Sequence, residues 1–416
     1  MAKHILVVSQ CFYPEPFRIN DICEELVKRG YRVTALTGIP NYPQGKFYDG
    51  YGWFKKRREN YNGVEIIRIP VIARGKNSIG MVLNYFSFVF FGFFWKMLSK
   101  INPDCVLNFE TSPMTQALVS VWFARRKKIP HYIYVQDLWP ENVEIVAGIH
   151  NKLIIGAINK MVDYIYKHSD KILATSESFR QTIRERVDDK EKVMYWPQYA
   201  EDFYVPSERV FVQEISDDSR FKVIFTGNIG YAQGLDVLPR VARALVAMDV
   251  TDVCFVLVGD GRYKQKLICE INEFDVADMF VMIDRQPAER IPEMLAASDA
   301  AFVSFMDSPL FEKTIPAKLQ SYMACGMPIV ASAAGETEKI IRESESGICC
   351  PLGDVEALAD AIVAMKSKTN LRQEADNSRR YFETHFEKKM LMDEFERDVL
   401  GRSPKPTTNK KTDSFT

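Results

Sequence analysis

Short apolar segments alternate with helical segments along almost the whole chain, and this alternation constrains the fold more than any other feature. The clearest strand-like segments are HILVVSQ, RVTALTG, CVLNFE and HYIYVQD in the first half, and KVIFTG, CFVLVGDG, AAFVSF and PIVAS in the second. Helical periodicity separates them, for example in INDICEELVKRG and LDVLPRVARALVAM. Apolar strands that alternate with helices are typical of parallel sheets covered by helices on both faces. The sequence therefore predicts an α/β protein with two doubly wound domains that face each other across a cleft.

The segment between the two series of strands is irregular, and we place the domain junction within it, at about 196–219. The predicted domains are residues 1–205 and 206–385, followed by a helix at 386–400. The polar, proline-containing tail 401–416 is expected to be disordered. Parallel sheets bind ligands at the carboxyl ends of their strands, so a ligand is expected between the two domains.

Charge is unevenly distributed along the chain. Residues 1–135 contain 19 Lys and Arg against 9 Asp and Glu, whereas the remainder contains 35 against 46. Two basic runs, at 55–58 and 125–128, lie in the positive part, and the first follows Trp53 and Phe54. This pattern favours an anionic lipid surface. Nucleic acid is the weaker alternative, because no nucleic-acid-binding motif accompanies the basic residues.

An apolar segment in the same part of the chain supports the lipid interpretation. The segment at about 79–98 has only Asn84 and Ser87 as polar residues within 79–95, and eight aromatic residues lie between 85 and 95. We expect it to be too short to span a bilayer. It is either a buried helix of the first domain or a helix lying in the membrane interface. We predict a cytoplasmic protein bound peripherally to the inner face of the cell membrane.

The cysteines and histidines show no pattern that indicates a metal site. The eight cysteines lack CxxC or His-linked spacing, and no HExxH motif or DxD pair at a strand end is present. We interpret the cysteines as reduced cytosolic thiols. No cofactor and no metal are predicted.

A glycine-rich loop is the clearest candidate ligand site. In FTGNIGYAQGLDVL, a strand leads through Gly227, Gly230 and Gly234 into a helix. Backbone N–H groups in such a loop, and the helix start that follows it, bind phosphate readily. The loop has no Lys or Arg, so a cation has to come from another segment.

Several motifs together resemble glycosyltransferase family 4. The matching segments are YMACGMPIVAS with the later PLGD, FTGNIGYAQGLDVL, VLVGDGRYKQKL and IPEMLAASDAAFVS, and in the first half FYPEPFRINDICEELVKRGYRVTALTGIPNYPQG and VQDLWPENV. The first-half segments look like the bacterial surface-polysaccharide branch that includes N-acetylfucosamine-type transferases. The resemblance covers roughly residues 4–385.

This resemblance implies a fold and a reaction. The family has the GT-B fold, with two Rossmann-like domains, and its members are retaining enzymes that use nucleotide sugars. We therefore expect transfer of an N-acetylated amino sugar from a UDP-sugar to a lipid-linked, undecaprenyl-type saccharide acceptor, in surface polysaccharide such as O-antigen or capsule. The resemblance also implies that the helix at 386–400 crosses back to the first domain.

The sequence departs from the family at three places. Lys313 and Ser321 stand where a pair of glutamates is usual, with Glu312 one position out of register. Asn228 and Gln233 replace basic residues of the phosphate loop, and the loop after the first strand, PEPFRIN, has no glycine.

The predicted donor site combines the glycine loop with residues from other segments. Lys318 is the expected cation, with Arg285 as the second candidate, and both are expected to stabilise the diphosphate leaving group. Glu312 is expected near the donor sugar, and Lys318 can alternatively be a solvated residue on a helix. The remaining donor-binding candidates are Gly227, Asn228, Gly230, Gln233, Asp260, Gln286, Ser321, Arg18 and Asn20.

The predicted acceptor site lies at strand ends of the first domain. Asp137 is the candidate for orienting or deprotonating an acceptor hydroxyl, although it can instead cap the next helix. Trp139, Glu141 and Glu110 are further acceptor candidates, and Trp139 can alternatively serve only in packing.

Three other functions compete with the transferase. An epimerase or hydrolase on the same fold would need no acceptor. A nucleotide-sugar-binding scaffold would be consistent with the missing glutamates. An NAD oxidoreductase is disfavoured, because neither loop has the GxGxxG spacing.

Overall fold

A computed structural model describes residues 2–75, 77–145 and 148–401, and it contains two parallel sheets. The first sheet has eight strands in the order β3-β4-β2-β1-β5-β6-β7-β8, and only β3 runs antiparallel to its neighbour. Its strands are β1 (His4–Val8), β2 (Arg32–Thr37), β3 (Arg58–Tyr61), β4 (Val64–Arg68), β5 (Cys105–Glu110), β6 (His131–Val135), β7 (Lys171–Ala174) and β8 (Val193–Tyr195).

The second sheet is entirely parallel, with six strands in the order β11-β10-β9-β12-β13-β14. Its strands are β9 (Phe221–Asn228), β10 (Val253–Asp260), β11 (Phe280–Ile283), β12 (Ala300–Ser304), β13 (Ile329–Ser332) and β14 (Gly347–Cys350). All of β1, β5, β6, β12 and β13 is buried. Strands with helices on both faces carry continuous apolar runs, as the sequence does here. The predicted α/β architecture of two doubly wound domains is therefore confirmed.

Helices connect the strands and cover both faces of each sheet. They are α1 (Arg18–Lys28), α2 (Ser78–Leu98), α3 (Gln116–Lys127), α4 (Glu141–Ile145), α5 (Lys152–Lys167), α6 (Glu177–Arg184), α7 (Gln213–Ser216), α8 (Val237–Ala247), α9 (Lys264–Glu273), α10 (Ile291–Ala296), α11 (Pro309–Glu312), α12 (Ala317–Ala324), α13 (Glu336–Ser344), α14 (Val355–Lys366), α15 (Arg372–His385) and α16 (Lys388–Glu394). A π-helical turn, Phe395–Val399, continues α16.

The last helix returns to the first sheet. Leu391, Met392 and Phe395 lie in one buried cluster with residues of β1, β2 and β5. The indole N–H of Trp196 donates to the carbonyl of Leu391 over 2.8 Å, and Lys388 pairs with Asp21 at 2.9 Å. The chain thus passes through the second domain and ends against the first. Residues 402–416 of the predicted tail lie outside the described part of the chain.

The two domains also meet directly beside the cleft between them. Leu310 of α11 packs into a first-domain cluster that contains Leu138 and Val143. The backbone N–H of Ser178 donates to Glu336 over 2.6 Å, and the Ser176 hydroxyl donates to the carbonyl of Lys313 over 2.5 Å. These contacts hold the carboxyl ends of the two sheets opposite each other.

Helix α2 is long and largely exposed. It is the one helix within the described residues that is long and apolar enough to cross a membrane, judged by length and composition alone. Only 22% of its most apolar window is buried. The expectation that this segment is too short was wrong, because the helix has 21 residues. The buried-helix alternative is also wrong, because most of its apolar side chains face outward.

Candidate active site

The candidate site is a cleft of about 620 Å³ between the carboxyl ends of the two sheets. Residues that follow β6, β7 and β8 line it from the first domain: Gln136, Thr175 and Gln198. Residues of the glycine loop, the start of α12 and the segment after β11 line it from the second domain. A cavity therefore lies between the domains, where the sequence predicted a ligand site.

The glycine loop opens directly into this cleft. Gly227 has φ +132°, a conformation that favours glycine, and a Cβ built there would meet no atom within 4 Å. The neighbouring strand allows this geometry because Gly259 packs against Gly227, where a Cβ would lie 1.8 Å from the Gly227 carbonyl oxygen. The space beside Gly227 is thus free for close approach by a ligand.

Lys318 lies beside this loop, which has no Lys or Arg of its own. It lies in the first turn of α12 and lines the cleft together with Gly227 and Asn228. Its Nζ donates to Oε1 of Gln233 and lies 3.8 Å from the centre of the Phe225 ring. Burial lowers the pKa of Lys318 to about 7. A buried amine without an anionic partner favours its neutral form, and a bound anion would restore the charge.

The other predicted donor residues of the second domain divide into two groups. Arg285, Gln286 and Ser321 line the cleft with Lys318, and Gln286 accepts a 2.7 Å hydrogen bond from Arg290. Glu312, Asp260 and Gly230 are not among the lining residues. Glu312 is exposed at the end of α11, the Asp260 carboxylate accepts from the N–H of Gly261, and Gly230 begins a short 3₁₀ turn beside Asn228.

From the first domain, Arg18 reaches the cleft but Asn20 does not. Arg18 Nε lies 3.3 Å from Glu201, and its guanidinium lies 5.4 Å from the centre of the Tyr199 ring. Asn20 instead stabilises the loop before α1, because it accepts from the N–H of Tyr13 and donates to the carbonyl of Glu15.

Besides Thr226 and Thr314 of the second domain, sequence reasoning missed five polar residues that the chain before residue 206 contributes to the cleft. They are Gln136, Thr175, Gln198, Glu201 and Tyr204. Gln136 was the most accessible to prediction, because it directly precedes Asp137 at a strand end. Tyr204 lines the cleft together with Ser321. Glu201 and Tyr204 lie in the irregular junction, where no local pattern marked them.

The predicted acceptor residues lie together behind Gln136 and do not line the 620 Å³ cleft. The Asp137 carboxylate accepts from the N–H of Ser112 at 2.7 Å, and burial raises its pKa. Glu110 is fully buried with neither carboxyl oxygen hydrogen-bonded, and burial raises its pKa well above the usual range. One carboxyl oxygen of Glu141 is likewise buried without a partner.

Trp139 does not present its ring to the cleft. It is 8% exposed, its indole N–H donates to the Ser112 hydroxyl over 3.1 Å, and it shares a cluster with Leu310 of the second domain. The alternative reading, in which Trp139 serves in packing, fits its position in the fold.

Within the described part of the chain, no group of three or more His, Cys, Asp or Glu residues could hold a metal ion. The basic side chains that line the cleft are Arg18, Arg285 and Lys318.

Two family models match consecutive parts of the chain. Residues 17–198 match the glycosyl transferase 4-like domain, and residues 207–381 match glycosyl transferases group 1. The chain is 21% identical over 282 residues to N-acetyl-alpha-D-glucosaminyl L-malate synthase of Bacillus anthracis, covering 64% of this chain and 71% of that protein. It is also 21% identical over 369 residues to an uncharacterized glycosyltransferase of Methanocaldococcus jannaschii, covering 87% and 91%.

Solved structures give the same fold. Sucrose-phosphate synthase from Thermosynechococcus elongatus aligns with a TM-score of 0.71 at 15% identity, over 96% of this chain and all of that one. HepE of Anabaena in complex with UDP aligns with a TM-score of 0.68 at 14% identity, over 97% of this chain and all of that one. The chain therefore matches two glycosyltransferase domain models in succession and has the GT-B fold of these structures.

Proposed function

We propose that the protein transfers an N-acetylated amino sugar from a UDP-sugar, with retention of configuration, to a lipid-linked saccharide in bacterial surface-polysaccharide biosynthesis. The observation that carries this proposal is the position of Lys318 beside the open glycine loop, at the cleft between the domains. One cation beside a glycine loop that a ligand can approach closely suits the diphosphate of a nucleotide sugar.

Relatives support the choice of donor. HepE of Anabaena has been solved with UDP and with UDP-glucose, and a structure from E. coli contains UDP-2-fluoro glucose. The names of two relatives, the Bacillus anthracis synthase and a 2-deoxystreptamine transferase of Streptomyces fradiae, refer to N-acetylglucosaminyl transfer. A UDP-linked N-acetylated amino sugar is therefore the donor class that we propose.

The proposed chemistry consists mainly of stabilising the leaving group. As the bond to the sugar breaks, negative charge grows on the diphosphate, where Lys318 Nζ and the N–H groups of the loop are placed to receive it. Arg285 lines the same cleft and is the second cation. The acceptor hydroxyl attacks from the same face that the diphosphate leaves, and its proton passes to the departing phosphate oxygen. No metal is needed in this scheme, because side-chain cations take its place.

The missing glutamates have identifiable substitutes in this scheme. Ser321 and Tyr204 both line the cleft, and we assign them to the ribose hydroxyls. Lys313 contributes to the contact between the domains instead, since its Nζ donates to Thr182 over 3.1 Å. The departures from the family pattern thus change which residues would contact the donor, and polar side chains still line the cleft.

The proposed acceptor and location depend on α2. Trp53 contacts Phe91 of this helix, with ring centres 5.4 Å apart, and Phe54, which is 94% exposed, and the basic run follow Trp53 in the chain. Aromatic residues beside a basic cluster suit the interface of an anionic membrane. Relatives with related roles include WaaG, a glycosyltransferase involved in lipopolysaccharide biosynthesis, and AmsK, named for amylovoran biosynthesis. We propose peripheral binding at the cytoplasmic face.

A panel of UDP-, GDP- and dTDP-sugars tests the proposal by thermal stabilisation and by sugar transfer, with and without membrane extract that contains lipid-linked acceptors. We expect one UDP-sugar to stabilise the protein and transfer to occur only in the extract. EDTA should leave the transfer unchanged, and NMR should show a product of retained anomeric configuration. Binding without transfer would indicate a scaffold. Turnover of the sugar without acceptor would indicate a hydrolase or epimerase, and absence of nucleotide binding would contradict the assignment of the loop.

A further inference from the structure

Arg74 is an arginine of the first domain whose guanidinium is held between two aromatic rings. Its Cζ lies 5.5 Å from the centre of the Tyr42 ring and 5.9 Å from that of Tyr85. The backbone N–H of Arg74 donates to Oδ1 of Asn41 over 3.0 Å, and Nη2 lies 3.3 Å from Sδ of Met81. The side chain is half-buried and its direction is fixed by these contacts.

Among the described residues, no carboxylate forms an ion pair with this guanidinium. None of the ion pairs between residues in the described ranges includes Arg74, whereas Arg68, six residues earlier, pairs with Glu59 at 2.8 Å. The carboxylate of the adjoining loop, Glu15, is already engaged by the backbone. Its Oε1 accepts from the N–H groups of Asn41 and Tyr42 at 2.7 and 2.6 Å. Arg74 therefore has donors available for an external anion.

The topology places Arg74 at the ligand-binding edge of the first sheet. It follows β4, which is parallel to β2, as β2 is to β1. The loops after these strands lie at the same edge as Arg18 and Gln136, which line the cleft. In the strand order, β4 and β2 lie on the opposite side of β1 from β6, β7 and β8. Arg74 is thus on the cleft edge but away from the glycine loop and Lys318.

Polar contacts connect this position rigidly to α2. Gln10, after β1, donates to Oδ1 of Asn84 over 2.7 Å, and Nδ2 of Asn84 donates to the carbonyl of Ile72 over 2.6 Å. The exposed apolar face of α2 begins at Ile79, five residues after Arg74. An unpaired cation and an apolar surface therefore adjoin each other.

We propose that Arg74, with Tyr42 and Tyr85, binds the phosphate or diphosphate of a lipid-borne acceptor whose hydrocarbon chain lies along α2. The planar guanidinium recognises phosphate oxygens in pairs, and its stacking between two rings fixes it before the ligand arrives. This inference rests on the proposed function, because it names the chemistry by which the lipid-linked acceptor is recognised.

Farnesyl diphosphate, used below its micellar concentration, serves as the probe in titration calorimetry, with saturating UDP present to occupy the donor site. Wild type is expected to bind it at least about tenfold more tightly than farnesol or inorganic diphosphate, and Arg74→Gln to lose at least about tenfold in affinity. Arg74→Lys should lose less, because it keeps the charge. Arg32→Gln, which removes an exposed arginine at the opposite edge of the same sheet, should bind as wild type does.

Three results would overturn the inference. The first is equal affinity of wild type and Arg74→Gln for farnesyl diphosphate. The second is binding of inorganic diphosphate by wild type as tight as its binding of farnesyl diphosphate. The third is a loss of vesicle binding by Arg74→Gln, on phosphatidylglycerol, as large as its loss of farnesyl diphosphate binding, which would indicate that Arg74 binds bulk lipid. UDP binding by Arg74→Gln, measured separately, confirms that the variant is folded. Failure of wild type to bind UDP would contradict the proposed function, whereas Arg74-dependent binding of farnesyl diphosphate would still stand.

Discussion

Lys318 is the residue on which the proposed donor site most depends, because it combines a partly buried amine with a position beside the glycine loop. Its Nζ contacts an amide oxygen and the Phe225 ring, and neither contact carries a full negative charge. Burial without an ion pair is unfavourable for the charged form of this amine, and a bound anion would stabilise that form.

Replacing Lys318 with Met should therefore weaken UDP binding by about tenfold to a hundredfold, the effect of one charge-assisted hydrogen bond of about 1.5–3 kcal/mol. Transfer should fall at least as much, because the same charge stabilises the leaving group. Calorimetry and a transfer assay measure the two effects. Lys339→Met, which removes an exposed lysine of α13, is the matched control. Equal UDP affinity in both variants would remove Lys318 from the site.

The lowered pKa of Lys318, about 7 in the free protein, predicts a pH dependence of binding. Below pH 7 the amine is already charged, whereas above it UDP binding has to take up a proton. The affinity should then fall by up to about tenfold per pH unit above 7, until the pKa of the complex is reached. Lys318→Arg, charged throughout, should bind with a flatter profile. Calorimetry in two buffers of different ionisation enthalpy measures the proton uptake directly, and zero uptake by wild type at pH 8 would contradict the prediction.

A site residue could be predicted from the sequence where a local motif determines its position, but not where the packing of the two domains determines it. Gly227, Gln233 and Lys318 belong to local motifs whose strand, loop and helix order already places them at one sheet edge. Glu201 and Tyr204 enter the cleft only because the two domains pack together, so no local pattern marks them. Trp139 is the opposite case. The sequence made it a candidate for stacking on a sugar, but it lies in one buried cluster with Leu310 of the other domain and so belongs to the contact between the domains.

At the scale of elements, α2 has the reverse of the usual amphipathic arrangement. Its buried residues include Asn84, Ser87 and Gly92, while its large apolar side chains face outward. Gly92 permits close approach to α3, because a Cβ there would lie 2.5 Å from a methyl group of Val119. The two polar residues are three positions apart and therefore share a face. Their spacing in the sequence therefore indicates that the side of the helix with these polar residues contacts the rest of the protein.

This arrangement predicts that membrane binding can be removed without loss of stability. The double substitution Phe86→Ser and Phe90→Ser should lower binding to phosphatidylglycerol vesicles by at least about tenfold, because two exposed aromatic side chains no longer enter the interface. The free energy of unfolding should change by about 0.5 kcal/mol or less per site, as is usual for surface substitutions.

Phe211→Ser is the control for that experiment, because Phe211 is also an exposed phenylalanine but lies in the segment between the domains. It should sediment with vesicles as wild type does. Undiminished vesicle binding by the Phe86 and Phe90 variant would show that α2 is not the membrane-contacting element. A large loss of stability in that variant would instead indicate that these side chains are buried in solution.

At the scale of the whole molecule, the return of the chain to the first domain makes the two domains interdependent. The first sheet's core is completed by α16, whose start is fixed by Lys388 between Asp21 and Asp202 at 2.9 Å each. Asp21 belongs to α1 and Asp202 to the segment between the domains, so one amine joins three distant parts of the chain. The side chain of Lys388 is only 7% exposed, and solvent screens its pair with Asp21 less than a surface pair.

Lys388→Met should lower the free energy of unfolding by about 3 kcal/mol, because it removes the cation from a partly buried group of carboxylates and leaves Asp21 with one partner fewer. The adjacent Lys389→Met is a closely matched control. Lys389 is exposed and pairs with Asp393 one turn later at 3.7 Å, so its loss should cost about 0.5 kcal/mol or less. Urea unfolding followed by tryptophan fluorescence measures both variants, because Trp196 is hydrogen-bonded to α16 and reports its detachment. Equal stability of the two variants would mean that α16 is held by its apolar contacts alone, and that the charged cluster serves only to direct the chain back to the first domain.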